Sequence, residues 1–279
     1  MDNEDHRPVS PVSPAAGYIG GKRNLASRIV ARIDLIAHRT YIEGFVGMGG
    51  VFLRRRSAPA AEVINDISGD VATFFRILQR HYTPFMEMLR YQITGRREFE
   101  RLAKTDPDTL TDLERAARFL YLQRLAFGGK VTGRSFRVSA REPGSFNVTQ
   151  LGPILEDIHE RLAGVIIERL PFHDLIKRYD HDGALFYLDP PYWGCEDDYG
   201  PGVFGPGDFD RMAKMLRALK GAFLLSINDT PQIRQIFADF AFEEVETTYT
   251  ISDGDASPAK ELIISGGVRP VGLFAEVGD

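Results

Sequence analysis

Tyr41-Ile-Glu-Gly-Phe-Val-Gly-Met-Gly-Gly-Val-Phe52, followed by Glu62-Val-Ile-Asn-Asp66, is the stretch that decides the fold. Tyr41 to Phe45 reads as a short strand, and Gly47-Met-Gly-Gly as a tight turn leading into a short helix through Phe52. Glu62 to Ile64 is a second strand, ending on Asn65-Asp66, and a helix runs from about 70 to 81. Strand, glycine turn, helix, strand and acid form the unit of nucleotide-binding α/β folds. Glycine lets backbone approach a ligand closely. Asp66 stands 19 residues after Gly47, a spacing suited to a carboxylate accepting from ribose hydroxyls. The strict dinucleotide fingerprint would need glycine at 52, where Phe52 stands. That counts against a nucleotide-dependent oxidoreductase.

The upstream segment 1–16 is polar, carries Val-Ser-Pro-Val-Ser-Pro, and reads as a flexible or extended tail. Gly17-Tyr-Ile-Gly-Gly-Lys22 is a glycine-bearing loop. It is not a phosphate-cradling P-loop, because Arg23 follows the lysine and no strand leads in. Leu25, Ile29, Ile33 and Ile36 recur at helical spacing, which predicts an amphipathic helix over 23–38.

Downstream the pattern changes. Residues 84–126 read as helices without strands, and Thr111-Asp-Leu-Glu114 has the spacing of a capping box that opens a helix through Leu125. Phe127 to Asn147 is rich in Gly, Ser and Arg and has no helical period, so a long loop or hairpin is expected. Strands then resume at 165–168, 184–188, 222–227, 242–250 and 261–265. Helices fall near 150–162, 171–178, 208–219 and 230–238. No helix separates the last two strands, which predicts an antiparallel pair at a sheet edge. The chain therefore reads as an α/β domain built from 17–81 and 149–279, interrupted by a mainly helical insertion at 82–148.

Composition narrows the class. The 279 residues are 43% hydrophobic and 26% charged, as in soluble globular proteins and unlike disordered scaffolds. No apolar run of about 18 residues predicts a membrane span. The single cysteine, Cys195, builds neither an intramolecular disulfide nor a thiolate metal cluster. With no signal-peptide pattern, a cytoplasmic location is expected. Net charge is −5, but it is unevenly spread. Residues 76–141 hold 14 Lys+Arg against 7 Asp+Glu, leaving 20 against 32 elsewhere. A basic middle in an acidic frame is compatible with a local nucleic-acid surface.

The sharpest chemical signal is Asp189-Pro-Pro-Tyr192, directly after the apolar run Ala184-Leu-Phe-Tyr-Leu188. It sits where a buried parallel strand ends, and ligands bind outside such carboxyl ends. Two prolines pin the backbone and remove two N–H groups. What remains are rigid acceptors, a carboxylate and carbonyls, beside an aromatic ring. Such a site suits a planar group bearing an NH2: Asp189 and the Pro190 carbonyl each accept one amino hydrogen, and Tyr192 stacks on the ring.

Four segments in this order, Gly17–Lys22, Phe45–Phe52, Asn65-Asp66 and Asp189–Tyr192, resemble the deoxyadenosine methylase (Dam) type of S-adenosylmethionine-dependent DNA adenine-N6 methyltransferases. Phe119-Leu-Tyr-Leu-Gln-Arg124 looks like the helix leading into that family's DNA-reading hairpin. Ser226-Ile-Asn-Asp-Thr230 and Lys260-Glu-Leu-Ile-Ile264 look like its late strands. The resemblance spans about 17–266. It implies a class I methyltransferase (Rossmann-like) mixed sheet, helices on both faces, and 82–148 as a target-recognition subdomain. It implies cofactor contacts from Tyr18, Lys22, Phe45, Gly47, Asp66, Phe172 and Asp189, with Lys22 serving the methionine carboxylate or a nearby acid. Catalytic positions would be Asp189, Pro190 and Tyr192, with Trp193 an additional stacking or lid candidate.

The implied reaction is direct methyl transfer to the N6 amine of an adenine flipped out of duplex DNA, with no metal and no covalent cysteine. Arg124, Lys130, Arg134 and Arg137 are the DNA-binding candidates, with Arg141 a further one. The family's Asn-Gly pair is missing from Leu125-Ala-Phe-Gly-Gly-Lys130, so no target sequence is carried over. A monomer in a bacterial cell is expected, with a phage or prophage origin and a restriction-modification role left open. N4-cytosine or RNA adenine methylation would share this chemistry. A silent DNA-binding protein of this fold would be marked by a broken Asp-Pro-Pro-Tyr or a lost Asp66, and both are intact.

Overall fold

The computed structural model describes residues 6–22, 24–137, 144–200, 202–250 and 256–267. In chain order the elements are β1 (Arg7–Pro8), α1 (Ala26–Asp34), β2 (Thr40–Glu43), β3 (Ser57–Ala58), β4 (Ala61–Asn65) and α2 (Gly69–Arg80). The middle holds α3 (Tyr82–Leu89), α4 (Arg96–Lys104), α5 (Asp112–Leu125) and α6 (Val148–Arg161). Then come β5 (Ile166–Glu168), α7 (Phe172–Tyr179), β6 (Ala184–Leu188), α8 (Pro206–Arg217), β7 (Ala222–Asn228), α9 (Pro231–Ile236), β8 (Ala241–Thr250) and β9 (Ala256–Gly266).

Seven strands form one sheet in the order β5-β4-β2-β6-β7-β9-β8. The first five run parallel, and β9 is antiparallel to both β7 and β8. The late antiparallel pair is as expected, with β9 inserted between β7 and the edge strand β8. The chain winds outward from β2 through β4 to β5, then returns to β6 and winds the other way to β7. The crevice between the carboxyl ends of β2 and β6 is therefore the topological switch point where such sheets bind ligands.

Alternation along the strands explains why helices cover both faces. All five residues of β6 are buried. Leu185 and Tyr187 join the core that takes in α1, α2 and α6, while Phe186 and Leu188 join the core under α7, α8 and α9. Side chains two residues apart share a face, so a strand apolar throughout needs a layer on each side.

The local signals act where they stand. In α1, Ala26, Ile29, Val30 and Ile33 are buried, giving the stripe its spacing predicts over a shorter span. In α5, the Thr111 hydroxyl accepts from the Glu114 amide while Glu114 accepts from the Thr111 amide at 2.9 Å. The turn at Phe52–Arg54 is a 3-10 helix.

The helices of 82–148 have no separate core. Phe74 of α2 meets Phe85 of α3 and Phe119 of α5 edge-on, at centroid distances of 6.3 and 5.8 Å. The segment 6–16, expected as a flexible or extended tail, is extended and anchored. β1 pairs antiparallel with β3, and Val12, Ala15 and Ala16 are buried. Those small apolar side chains fill the groove beside Leu53, whose carbonyl accepts the Val12 amide at 2.7 Å. No helix among the described residues is long and apolar enough to cross a membrane.

Candidate active site

The loops at the carboxyl ends of β2, β4, β5 and β6 surround a cleft of about 960 Å³, at the upper end of the ~300–1,000 Å³ typical of small-molecule sites. The N-terminal loop closes it from above. Of the expected cofactor residues, Tyr18, Lys22, Phe45, Gly47, Asp66, Phe172 and Asp189 all line this one cleft. Pro190 is buried beneath it and Tyr192 half-buried beside it.

At one end, the Asp66 carboxylate is held by backbone. The Gly47 amide donates to Oδ2 and the Ser68 amide to Oδ1, each at 2.9 Å. Burial still pushes the carboxyl up to about 6, against the two amides that favour the anion. Gly47 has φ +50, and a Cβ there would lie 2.8 Å from the Tyr18 ring. Glycine is required here for conformation and for space. Asn65 sets the frame: its amide nitrogen donates to Gly44 and Leu170 carbonyls at 2.9 and 3.0 Å, and its oxygen accepts from the Leu170 amide at 2.8 Å. Phe45, Phe172 and Phe204 form an aromatic wall, with centroid separations of 5.8 to 6.3 Å.

At the other end, Lys22 is 4% exposed. Its Nζ lies 2.6 Å from Asp189 Oδ1 and donates to the Tyr192 hydroxyl at 2.7 Å. It also sits 3.9 Å from Glu261 Oε2. Of its two expected roles, the geometry displays the pairing with a nearby acid. Burial raises the Asp189 carboxyl to about 6, with Lys22 pulling it back down. Glu43, at the end of β2, is pushed up to about 8 by burial, although the Tyr41 hydroxyl donates to it at 2.6 Å. The Asp-Pro-Pro-Tyr loop is held from β7: Asn228 accepts from the Trp193 amide at 2.9 Å and donates to its carbonyl at 3.1 Å. Trp193 stands 5.3 Å from Phe209, packed rather than swung over the cleft.

The DNA candidates divide. Lys130 and Arg137 are exposed. Arg134 is half-buried, donating to the Lys130 carbonyl at 3.1 Å. Arg124 is turned inward: it donates to the Ser145 carbonyl at 2.8 Å and the Ala15 carbonyl at 3.2 Å. A guanidinium offers five donors in a rigid fork, and here the fork braces the return of the loop against the N-terminal segment. Gln123 braces its start, donating to the Gly17 and Gly129 carbonyls at 2.9 and 2.6 Å. Arg141 lies outside the described residues.

Sequence reading gave no role to Glu43, Tyr187, Tyr199 or Phe204, and took Asn228 only as part of a late strand. Glu43, Tyr187 and Asn228 stand in or at the end of apolar strands and Tyr199 in an acidic 3-10 turn, and no local pattern marks them as part of a cleft.

The cleft fits a nucleoside bearing a cationic tail. Asp66 offers a carboxylate to hydroxyl groups beside a glycine that admits close approach. The aromatic wall suits a purine face. Glu43, Asp189 and Glu261 make the remaining end acid-rich around a single lysine. Among the described residues no group of His, Cys, Asp and Glu could hold a metal ion.

Comparison with known proteins identifies the family. The profile of the D12 class N6 adenine-specific DNA methyltransferases matches residues 18–251. The type II methyltransferase M1.LlaDCHI of Lactococcus lactis subsp. cremoris is 27% identical over 90% of this chain and 94% of its own. The type II methyltransferase M.CviBI of Paramecium bursaria Chlorella virus NC1A is 22% identical over 85% and 91%. The DNA N-6-adenine-methyltransferase of Escherichia phage P1 is 25% identical over 83% of this chain but 33% of its own length. The family implies DNA as substrate and a methyl donor of the S-adenosylmethionine type. With the profile covering most of its length and the switch-point cleft intact, the chain belongs to the D12 class of N6 adenine-specific DNA methyltransferases.

Proposed function

We propose that this methyltransferase uses S-adenosylmethionine itself, as a monomer, on an adenine extruded from duplex DNA. The observation carrying the reading is the Asp189-Pro-Pro-Tyr192 loop, pinned at the carboxyl end of β6 in the same cleft as Asp66. Bound there, the cofactor would supply an electrophilic methyl group on a sulfonium. Asp66 accepts from the ribose hydroxyls, and Phe45 and Phe172 flank the purine. Gly47 and Tyr18 line the methionine moiety, and Lys22 neutralises Asp189 or the amino-acid carboxylate.

The adenine N6 lone pair is delocalised into the ring and is a poor nucleophile. Asp189 and the Pro190 carbonyl each accept one N6–H, which favours a more tetrahedral nitrogen and turns the lone pair toward the methyl group. Rigid acceptors do this by position and electrostatics, without forming a bond to the base. Tyr192 stacks on the extruded base and offsets part of the few kcal/mol that unstacking costs. Lys130, Arg134 and Arg137 contact phosphate or guanine, and Arg124 and Gln123 hold the loop that carries them.

The test is to incubate the protein with S-adenosylmethionine and unmethylated genomic DNA, then measure nucleosides by mass spectrometry. N6-methyladenine should form with the intact protein and fall by about 10³-fold or more in Asp189→Ala, which removes a transition-state acceptor. N4-methylcytosine as the product would overturn the base assignment. An Asp189→Ala variant of full activity would overturn the role of the loop.

A further inference from the structure

The buried strand β7 carries Ser226, which the reading above does not use. Ser226 is fully buried, and its hydroxyl donates to Asp189 Oδ1 at 3.0 Å. A hydroxyl has one proton, so the 2.8 Å contact between Ser226 Oγ and the Tyr187 hydroxyl must be donated by Tyr187. The three groups form a directed chain: Tyr187 O–H to Ser226 Oγ, and Ser226 O–H to Asp189 Oδ1. Tyr187 is itself 1% exposed. Tyr187 and Ser226 come from neighbouring parallel strands, where Tyr187 stands opposite Leu224, two residues before Ser226.

Lys22 Nζ approaches the same carboxylate oxygen, Oδ1, at 2.6 Å. Among the described residues Oδ2 takes neither bond. One oxygen is thus held by the protein and the other is left to accept. Lys22 arrives from the N-terminal loop and shares its charge with Tyr192 and Glu261. Ser226 and Tyr187 are fixed in the middle of the sheet, and among the described residues Asp189 is the one charged group to which their hydroxyl chain leads.

We propose that Ser226, backed by Tyr187, is a positioning residue for methyl transfer: it locks the Asp189 carboxylate so that Oδ2 meets the target amine. This rests on the role given to Asp189 above. A carboxylate free to rotate about χ2 would spend part of its time with neither oxygen aligned, and tolerances in such sites are a fraction of an ångström. The same donor also favours the ionised form that accepts N6–H. The other titratable groups around Asp189 are Lys22 on the N-terminal loop, Glu43 on β2, Glu261 on β9 and Tyr199 beyond the loop.

The experiment compares Ser226→Ala, Ser226→Thr, Tyr187→Phe and Asp189→Ala with the native protein. It measures single-turnover methylation of a duplex DNA, calorimetric cofactor affinity, DNA affinity and melting temperature. Ser226→Ala should lower the methyl-transfer rate by roughly 10- to 100-fold while both affinities stay within about twofold, the pattern of an interaction made in the transition state. Its acid limb should move to higher pH, because a donor to the carboxylate is lost. Ser226→Thr, which keeps the hydroxyl, should recover most of the rate, and Tyr187→Phe should show the same shift more weakly.

Equal rates in Ser226→Ala and the native protein would overturn the proposal, as would parallel losses of rate, affinity and stability. Failure of Ser226→Thr to recover, with its melting temperature unchanged, would do so too. If Asp189→Ala is itself fully active, the underlying reading fails instead, and the two failures are told apart.

Discussion

One strand carries two buried ionic clusters, and they are built on opposite plans. Glu62 stands near the start of β4 and Asp66 just beyond its end, about 13 Å apart at the rise of a parallel strand. Around Glu62 the charges are closed. Arg55 donates to Oε1 at 2.8 Å, and Arg161 donates to both oxygens at 2.7 Å. Both guanidinium planes lie on aromatic rings, Arg55 over Tyr41 at 3.8 Å and Arg161 over Phe52 at 4.0 Å. At the carboxyl ends the plan reverses: Asp189 and Glu261 share one cation, Lys22, Asp66 is held, among the described residues, by the Gly47 and Ser68 amides alone, and with Glu43 these acids line or back the cleft. The first cluster pairs its charges within the fold. The second holds acceptor capacity in reserve, which is what a site for a cationic donor and an amine requires.

The comparison is tested hardest by removing the shared acid. Glu62→Ala leaves two buried guanidinium groups facing each other, and breaking a buried pair in this way costs about 3–5 kcal/mol. Denaturant unfolding should show that loss, while the methylation rate per folded molecule stays near native, because the cluster lies at the far end of β4. A comparable fall in specific activity would break the division between the two clusters.

The clusters also pull the pH dependence of stability in opposite directions. At the closed end, burial lowers His38 to about 3. The unfolded chain takes up that proton below about 6.5 and the folded chain does not, so stability is lost on acidification. At the open end the folded carboxyls are raised, Glu43 to about 8 and Asp66 and Asp189 to about 6. There the folded state binds protons more readily, so stability is gained as pH falls from about 8 toward the ordinary carboxylate range. Acids held down by arginine, such as Asp229 beside Arg234, act only at lower pH. In His38→Gln the carboxyl trend stands alone. Its stability should rise between pH 8 and 5 by denaturant midpoint, while methylation falls on the acid side near 6 as Asp189 takes a proton. A midpoint that drops over that range would sink the assignment.

A smaller effect is expected at the nucleoside end of the cleft. Gly47→Ala puts a Cβ 2.8 Å from the Tyr18 ring at φ +50, so the ring must move and the backbone is strained. Cofactor affinity should weaken by about tenfold or more, roughly 1.4 kcal/mol or above, with melting temperature little changed. Equal affinity in the variant would place the cofactor away from this turn.

What the sequence could reveal follows from the range of each interaction. The switch-point sheet was legible because strand, glycine turn and terminal acid are neighbours in the chain. Asp66 and Asp189 were legible for the same reason: each ends its strand. Ser226 was read only as part of a late strand and Tyr187 as plain core, so neither was given a role. Their hydroxyls matter only once β6 and β7 lie side by side. Arg124 read as a basic residue near a hairpin, and only the fold shows it spanning to Ala15, 109 residues away. Arg55 and Arg161 likewise count as two charges in a composition until Glu62, 7 and 99 residues distant, draws them together. Composition left the tail open between flexible and extended, since Val12, Ala15 and Ala16 are too few to outweigh its prolines and serines on paper.

The smallest expected effect is also the most discriminating. A buried ion cluster whose work is internal can be exchanged whole for apolar residues of similar volume at little cost, or even at a gain, because desolvation of the charges offsets their attraction. Arg55→Met, Glu62→Leu and Arg161→Leu made together should therefore leave stability within about 1–2 kcal/mol of native and leave methylation intact. The rings of Tyr41 and Phe52 already pack on the flat guanidinium groups and accept an aliphatic chain in their place. The Nε atoms of Arg55 and Arg161, buried without a partner, are relieved rather than lost. The carboxyl-end cluster cannot be treated so, because its acids face the molecules on which the enzyme acts. A triple variant that unfolds would mean that the closed cluster specifies the fold, not merely fills it. A triple variant that folds and methylates would leave Asp189 with its lysine, and Asp66 on its two amides, as the charges this sheet is built to present.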